Sequence, residues 1–441
     1  MTLALSHNEC QHRSRVKDDA VGRRACRGSP TNSAYGFAVD LDAFAWLLTD
    51  PGQQVLARAV ALGSETGGDP LKAQSALRRE FPGVEASHVA VAMSQATLRG
   101  RAVAKFGQLA ASMYFTPDGL EQATRLPVAE HRAARLLAFE ASSAIDLGCG
   151  IGGDLIAMAR AGITAAGVDL DPERVAVAHA NLAALGLPGA VTVADATEVD
   201  HSPFAVAFAD PARRTNNRSR GRVMDTEGWT PPWPFVLDLL ARDACVKVAP
   251  GIPHELIPAG VEAEFVSDHG EVKEAALWSG SLATVRRRAT VLGDGGLATL
   301  TDEDDPGAEA VGVRAVGDFL YEPDGAVIRA GLVTAVAAGV GGALLDEQIA
   351  YVTADEPFRT PFARGYRVVE ELPYRERALR AALRERGIGR LTIKKRGVAI
   401  VPEELRRRLS PQGPNEATIV LTRVADEGTC LLVQPLGTPV P

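Results

Sequence analysis

Apolar positions in residues 34–125 recur at intervals of three and four along the chain. The stretch LDAFAWLLTDPGQQVLARAVAL shows this spacing, and the Asp-Pro-Gly sequence that begins at Asp50 is typical of a turn between two helices. Similar stretches run from Leu71 to Phe81 and from Val89 to Phe115. The pattern predicts a helical N-terminal domain. Residues 1–33 are polar and basic without periodicity, which indicates a disordered tail or an extension upstream of the true start.

Beyond Leu126 short apolar segments alternate with amphipathic ones, such as the helix expected from Pro172 to Leu185. The predicted strands are Ala144–Leu147, Ala165–Val168, Val191–Val193, Ala205–Ala209 and Ala244–Val248. Alternating strands and helices at this length favour an α/β fold built on a doubly wound, parallel sheet. We assign residues 126–292 to this domain.

The sequence GDGGLATLTDEDDPGAEA, which starts at Gly293, is rich in glycine and aspartate and is interpreted as a linker. Residues 293–441 then combine helices with strands such as Leu391–Ile393 and Thr418–Arg423, which predicts a small α+β domain. The longest uncharged run, Ala330–Leu345, is too short and too glycine-rich for a membrane span and is predicted to be a buried helix.

The glycines that follow the first predicted strand fit two nucleotide-binding patterns. Gly148, Gly150 and Gly153 match the G-x-G-x-x-G of dinucleotide enzymes, whereas Gly148, Gly150 and Gly152 match the G-x-G-x-G of a methyl-donor site. Asp146 discriminates between them, because a carboxylate at this strand end would repel the pyrophosphate of NAD. It suits the ammonium and sulfonium groups of S-adenosylmethionine.

Three further aspartates end the next predicted strands. Asp169 can accept hydrogen bonds from ribose hydroxyls. An NAD site binds its ribose in the same way, so this residue does not distinguish the two ligands. Asp195 can face the adenine edge, and Asp210 lies beside the expected position of the methyl group. Ligands of open α/β sheets bind at these carboxyl ends, so we interpret the four aspartates and the glycines as one site, in which Asp146, Asp169, Asp195 and the glycines hold the donor.

Several segments resemble known families. DLGCGIGGD, GVDLDPERVAVAHANL, ADATEV and FADPARR resemble the successive motifs of class I, Rossmann-like S-adenosylmethionine-dependent methyltransferases. YFTPDGLEQATRLPVAEHRAARL is similar to the lead-in segment of trimethylguanosine synthase-type RNA-cap methyltransferases, and IGRLTIKKRGVAIVPEELRRRL to a THUMP-like domain. Because THUMP domains proper occur in enzymes that modify transfer RNA, the resemblance implies an RNA substrate.

The residues after the fourth strand resemble the Asp/Asn-Pro-Pro-aromatic tetrad of exocyclic-amine methylases in part. Asp210 and Pro211 match its two hydrogen-bond acceptors, which would orient the target amine. Ala212 and Arg213 depart from it, and Arg213 would have to replace the aromatic by stacking or by pairing with a phosphate. We predict Asp210 and Pro211 as catalytic residues, with a simple strand end as the alternative.

Arginines follow at the mouth of the predicted site: Arg213, Arg214, Arg218, Arg220 and Arg222. They suit a phosphate backbone, with a solvated loop as the alternative. Trp229 and Trp233 would supply a stacking surface for a base, although tryptophans among prolines more often cover a core.

Charge is unevenly distributed along the chain. The net charge is −8, yet residues 364–410 hold 14 Lys and Arg against 6 Asp and Glu, so this segment carries +8 and the rest −16. A local basic surface of this kind fits a polyanion partner, and a solvated helical face is the alternative. With Arg213 and Arg214, we therefore predict Lys394, Lys395 and Arg396 as substrate-binding residues.

The five cysteines are scattered without C-x-x-C spacing, and no N-terminal stretch resembles a signal peptide, so we expect a cytoplasmic protein without a disulfide framework. His7, Cys10 and His12 have no partner cluster, so no metal site is predicted. The sequence thus predicts a methyltransferase that uses S-adenosylmethionine, acting on an RNA base nitrogen. The alternatives are a small-molecule or protein methyltransferase and a catalytically silent RNA-binding module.

Overall fold

The computed structural model describes residues 40–213, 228–424 and 427–437. Helices fill the N-terminal part, as predicted: α1 (Leu41–Leu47), α2 (Asp50–Glu65), α3 (Pro70–Glu80), α4 (Ala86–Phe106), α5 (Pro117–Gln122) and α6 (Leu126–Ala138). The predicted break at Asp50 is confirmed, since Thr49 caps α2 there and Pro51 occupies its first turn, where a missing N–H costs nothing. The predicted tail and the residues His7, Cys10 and His12 lie outside the described residues.

A nine-stranded sheet follows, with the order β11-β10-β8-β9-β7-β4-β1-β2-β3. Its strands are β1 (Ser143–Leu147), β2 (Thr164–Asp169), β3 (Ala190–Val193), β4 (Val206–Ala209), β7 (Ala244–Val248), β8 (Glu262–Asp268), β9 (Glu271–Ser279), β10 (Arg287–Gly293) and β11 (Gly296–Thr301). A separate two-stranded ladder joins β5 (Ala212–Arg213) to β6 (Trp229–Thr230). The helices of this part are α7 (Gly153–Arg160), α8 (Pro172–Ala184) and α9 (Trp233–Leu239).

The five strands β3, β2, β1, β4 and β7 run parallel, which confirms the predicted Rossmann-like arrangement. Strand β1 lies between β2 and β4, so the chain moves outward from β1 in both directions. This is the topological switch point at which open α/β sheets bind ligands. Strand β9 is antiparallel and is inserted between β7 and β8.

The linker predicted from Gly293 onward is wrong. β10 and β11 form an antiparallel hairpin in which Gly293 pairs with Gly296, so Asp294 and Gly295 make a two-residue turn. Asp-Gly is a strong hairpin signal, and the glycine and aspartate content reflects this turn. The domain boundary predicted at residue 292 therefore falls inside a hairpin of the first sheet.

A seven-stranded sheet forms the C-terminal part, with the order β13-β14-β12-β15-β18-β17-β16. Its strands are β12 (Phe319–Pro323), β13 (Ala343–Asp346), β14 (Ile349–Ala354), β15 (Ala363–Leu372), β16 (Ile388–Lys395), β17 (Asn415–Val424) and β18 (Glu427–Pro435). The helices are α10 (Ala308–Val311), α11 (Gly325–Ala330), α12 (Val333–Gly339), α13 (Glu376–Glu385) and α14 (Pro402–Leu409). Short 3-10 turns complete the chain: Gly107–Ala111, His254–Leu256, Gly280–Leu282 and Asp302–Asp304.

The predicted buried helix Ala330–Leu345 is only partly correct, because α12 ends at Gly339 and the chain continues as β13. Gly341 adopts a left-handed conformation with φ of 64°, and a Cβ at Gly342 would collide with the backbone of Thr353. Glycines of this kind terminate helices.

The two sheets share a hydrophobic core. One cluster joins Phe265 and Leu277 of the first sheet to Tyr321, Val327 and Val336 of the C-terminal part. The residues assigned to separate domains from sequence are therefore packed against each other. In the described parts of the chain, no helix is both long and apolar enough to cross a membrane.

Candidate active site

A cavity of about 880 Å³ lies at the carboxyl ends of β1, β2, β3, β4 and β7. Its wall includes six of the residues predicted from sequence: Asp146, Gly148, Gly150, Asp169, Asp195 and Asp210. The four aspartates come from four different strand ends, and the parallel sheet brings them to one edge. The segment 119–124, which precedes α6, closes another side of the cavity.

The glycine loop turns sharply between β1 and α7. Gly148, Gly150 and Gly152 have φ values of 108°, 55° and 85°, which side chains rarely adopt. A Cβ at Gly148 or Gly150 would meet no protein atom, so these two residues leave backbone open to the cavity. Gly152 instead packs against Ala178 and precedes α7. The left-handed positions thus follow the G-x-G-x-G spacing.

Asp146 is a buried carboxylate with only 2% of its surface exposed. Its Oδ1 has no hydrogen-bond partner among the described residues. Burial raises the pKa of Asp146 well above its usual value, and the charges of Asp154 and Asp210 raise it further. A buried carboxylate at a cavity wall, with one oxygen lacking a hydrogen-bond partner, is suited to a cationic ligand group.

Asp169 and Asp195 are already engaged in local hydrogen bonds. Asp169 accepts from the backbone N–H groups of Gly150 and Asp171, each at 2.9 Å, and thereby fixes the glycine loop. Asp195 accepts from the backbone N–H and the hydroxyl of Thr197, which lowers its pKa. A carboxylate offers about four acceptor positions. Both residues therefore keep acceptor capacity for ligand hydroxyl or amine groups.

Asp210 forms an ion pair with Lys247, a residue that the sequence analysis missed. Lys247 also donates to the Thr124 hydroxyl at 3.1 Å, and Thr124 donates to Asp154 at 2.8 Å. Lys247 also lines the cavity. A signal existed, because Lys247 is the one charged residue in the strand segment ACVKV. Pro211, predicted as catalytic, follows Asp210 and leads into β5 but is not part of the cavity wall.

The aromatic and arginine residues predicted at the site mouth are placed only in part. Trp229 is 5% exposed, belongs to the shared core and contacts Trp233 edge to face at 5.1 Å. Trp229 also lines the cavity, so the core role and the stacking role both stay open. Arg213 pairs with Trp229 through the β5 backbone. The Arg213 side chain, Arg214 and the rest of the arginine segment, up to residue 227, lie outside the described residues.

The predicted basic triplet lies in and just after β16, outside this cavity. Lys394 contacts Glu322 at 2.5 Å and lies 5.6 Å from the Tyr366 ring centre. Arg396 lies 4.0 Å from Glu322. Glu322 thus engages Lys394 and lies close to Arg396, but its single negative charge offsets only one of the two cations, so substrate binding by the triplet stays a prediction. Lys395 is exposed.

Sequence comparisons identify three regions. Residues 144–220 match the family described as Methyltransferase domain, and residues 363–435 match THUMP domain-like. Residues 40–102 match a domain of unknown function.

Two relatives from Mycobacterium tuberculosis, strains CDC 1551 and H37Rv, are named uncharacterized S-adenosylmethionine-dependent methyltransferases. Each is 41% identical over 338 residues, which cover 74% of this chain and 90% of the relative. The crystal structure of a candidate methyltransferase from Porphyromonas gingivalis W83 has a similar fold. It superposes with a TM-score of 0.67 at 21% identity, over 86% of this chain and 98% of the other. The chain belongs to the S-adenosylmethionine-dependent methyltransferases, with a class I catalytic fold and a THUMP-like C-terminal region.

Proposed function

We propose that this methyltransferase acts on a nitrogen atom of an RNA base. The proposal rests on two features that occur in one chain. The first is a donor cavity with a carboxylate on its acceptor side, and the second is a basic THUMP-like segment. Seven cations in residues 364–410 are exposed and form no ion pair within the described residues: Arg364, Arg367, Arg375, Arg377, Arg384, Lys395 and Arg407. Unpaired surface cations of this number suit a phosphate backbone.

The donor side of the cavity is assigned as follows. Asp146 binds the ammonium of the methionine moiety, since its Oδ1 lacks a partner in the described structure. Asp169 accepts from the ribose hydroxyls, and Asp195 from the adenine amine. Gly148 and Gly150 allow the ligand to approach the backbone closely, because no side chain intervenes. S-adenosylmethionine, when bound, supplies a methyl group activated by its sulfonium.

On the acceptor side, Asp210 accepts a hydrogen bond from the target amine. This contact orients the nitrogen lone pair toward the methyl carbon. The N–C bond forms as the C–S bond breaks and the sulfur keeps the electron pair. The proton lost by the nitrogen passes to the Asp210 carboxylate and from there to water. Asp210 has 35% of its side chain exposed, so water reaches it.

The experiment offers labelled S-adenosylmethionine and the purified full chain to extracts of cells that lack the gene. Total RNA, total protein and small metabolites are tested separately, and ribonuclease treatment of the RNA fraction is the control. We expect label in RNA that ribonuclease releases, and mass spectrometry of nucleosides then identifies the methylated atom. Label confined to protein or metabolites would overturn the RNA assignment. Absence of transfer to all three, with S-adenosylhomocysteine still bound, would indicate a silent binding module.

A further inference from the structure

Lys247 is a buried cation whose role the proposed function does not explain. Its side chain is 15% exposed. It lies near the carboxyl end of β7, at the edge of the sheet where the cavity is. The β4–β7 register pairs Ala209 with Val246, so the residues that follow, Asp210 and Lys247, reach the same edge together. The lysine therefore meets the acceptor-side carboxylate through strand pairing.

The hydrogen bonds of Lys247 have a defined direction. Nζ donates a hydrogen bond to Thr124 Oγ1, and the Thr124 hydroxyl in turn donates a hydrogen bond to Asp154 Oδ2. Arg132 pairs with Asp154 and with Glu274. The position of the ammonium is thus set from the α6 side of the sheet, independently of Asp210.

The charges around Lys247 explain why a cation is needed there. The titratable groups that face it or its partners come from five elements: Lys105 of α4, Asp146 of β1, Asp154 of α7, Asp210 after β4 and Glu274 of β9. Burial by itself lowers the pKa of Lys247, but Asp210, Glu274 and Asp154 outweigh it, and the pKa is raised. Within the described residues, Lys247 is the cation in contact with Asp210, since Arg132 is taken by two other carboxylates.

We propose that Lys247 is a positioning residue for methyl transfer: it holds Oδ2 of Asp210, so that Oδ1 is directed at the acceptor. The inference rests on the acceptor role assigned to Asp210 under the proposed function, but it does not depend on the acceptor being RNA. Lys247 contacts no reacting atom and acts through the carboxylate. Thr124 has a supporting part, because it fixes the lysine from the opposite side.

The test compares Lys247→Met and Lys247→Arg with wild type, using as acceptor whichever fraction of cells that lack the gene (RNA, protein or metabolites) takes up label from S-adenosylmethionine. We expect kcat of Lys247→Met to fall roughly tenfold, with little change in KM for S-adenosylmethionine. The acid limb of its kcat profile should move to higher pH than in wild type, since a carboxylate that loses its cation takes up a proton more readily. Lys247→Arg should restore most of this limb.

Three controls keep the result specific. Lys273→Met makes the same change on β9, where Lys273 pairs with Glu271 away from the cavity, and should leave the pH profile unchanged. Circular dichroism and the stabilisation by S-adenosylhomocysteine confirm that each variant is folded. The double variant Asp210→Asn with Lys247→Met should lose no more activity than Asp210→Asn alone, because the lysine acts through Asp210.

An unshifted acid limb in Lys247→Met, or additive losses in the double variant, would overturn the inference. The outcome is separable from the proposed function. If Asp210→Asn and Asp210→Ala both keep wild-type turnover, the acceptor role of Asp210 fails. If they lose turnover while Lys247→Met keeps both turnover and profile, only the role of Lys247 fails.

Discussion

In each sheet, one strand carries a lysine whose side chain forms an ion pair with a carboxylate. The two ion pairs have different surroundings. Lys247 of the nine-stranded sheet contacts Asp210, which opens on the cavity beside the unpartnered Asp146. Lys394 of the seven-stranded sheet contacts Glu322, whose Oε2 also accepts a hydrogen bond from the Tyr366 hydroxyl at 3.3 Å. The first carboxylate keeps free acceptor positions that face a cavity, whereas the second is occupied by its own neighbours.

This difference separates a pair that is open to a ligand from one that is enclosed by its neighbours, although both consist of the same residue types. A buried charge is costly unless it is paired and hydrogen-bonded. The Lys394–Glu322 pair of the second sheet meets this requirement by itself. The first sheet leaves Asp146 without a partner in the described residues, which is expected where a ligand completes the site. Substitutions in the two sheets should therefore affect different measurements.

The largest effect on stability is expected for Arg132→Met. Arg132 is 2% exposed and pairs with Asp154 and Glu274 behind the cavity. Its loss leaves two carboxylates without their cation, which costs about 3–5 kcal/mol of unfolding free energy. Urea unfolding followed by circular dichroism measures the change. Arg160→Met, at an exposed pair with Glu130, is the control and should stay within about 0.5 kcal/mol. Equal effects would mean that the buried network does not support the first sheet.

Asp210→Ala should lower turnover roughly a hundredfold, or about 3 kcal/mol, because the site loses a charge-assisted acceptor. S-adenosylhomocysteine binding should remain, since the donor contacts come from other strands. Asp210→Asn should be milder, because the amide oxygen still accepts. Labelled transfer to RNA measures turnover, and thermal shift measures binding. Loss of donor binding in Asp210→Ala would place this residue in the donor pocket instead.

The raised pKa of Asp146 predicts a pH dependence of stability. Above the ordinary carboxyl pKa the folded state binds a proton that the unfolded state has released. Stability therefore falls as pH rises from the ordinary to the raised pKa, by about 1.4 kcal/mol for each pH unit between them. Melting temperatures across this range should show the slope in wild type and a reduced slope in Asp146→Asn. S-adenosylhomocysteine should also reduce the slope in wild type, because its ammonium stabilises the ionised carboxylate. An identical slope in all three cases would contradict the assignment of Asp146.

In the second sheet, Lys394→Met should cost about 1–2 kcal/mol of unfolding free energy, because Glu322 loses its nearest donor. Urea unfolding checks this value, and donor binding should not change. A loss of donor binding without a loss of stability would remove the distinction between the two lysine pairs.

The smallest effect is expected for the neighbouring Lys395→Ala. Because Lys395 is exposed, stability should stay within about 0.5 kcal/mol. If Lys395 contacts a phosphate, RNA affinity should fall modestly and the salt slope should decrease by about one. Filter binding at several salt concentrations measures both. Unchanged affinity and slope would exclude Lys395 from the RNA surface.

Most of the catalytic fold could be predicted from sequence, because the signals are local. Apolar positions spaced by three and four indicate a helix, and a short apolar run indicates a strand. Each signal lies within the residues of the element itself. The glycines of the loop and the aspartates at strand ends follow directly after these elements, so their convergence at one edge is implied by a parallel sheet. The hairpin at Asp294 has a local Asp-Gly signal too, but the glycine and aspartate content of the same segment is also typical of a linker.

The charge pairs could not be predicted in this way. Lys247 meets Asp210 because β4 and β7 are neighbours in a set register, although the two residues are 37 positions apart in the sequence. Lys394 on β16 reaches Glu322 on β12 even though β15, β18 and β17 lie between these strands in the sheet, so the sheet must curve to bring the two side chains together. The sequence by itself determined which elements form and which residues end them. Only the tertiary structure decided which charges are neutralised and which remain open to a ligand, because strand order, register and curvature result from packing of the whole chain.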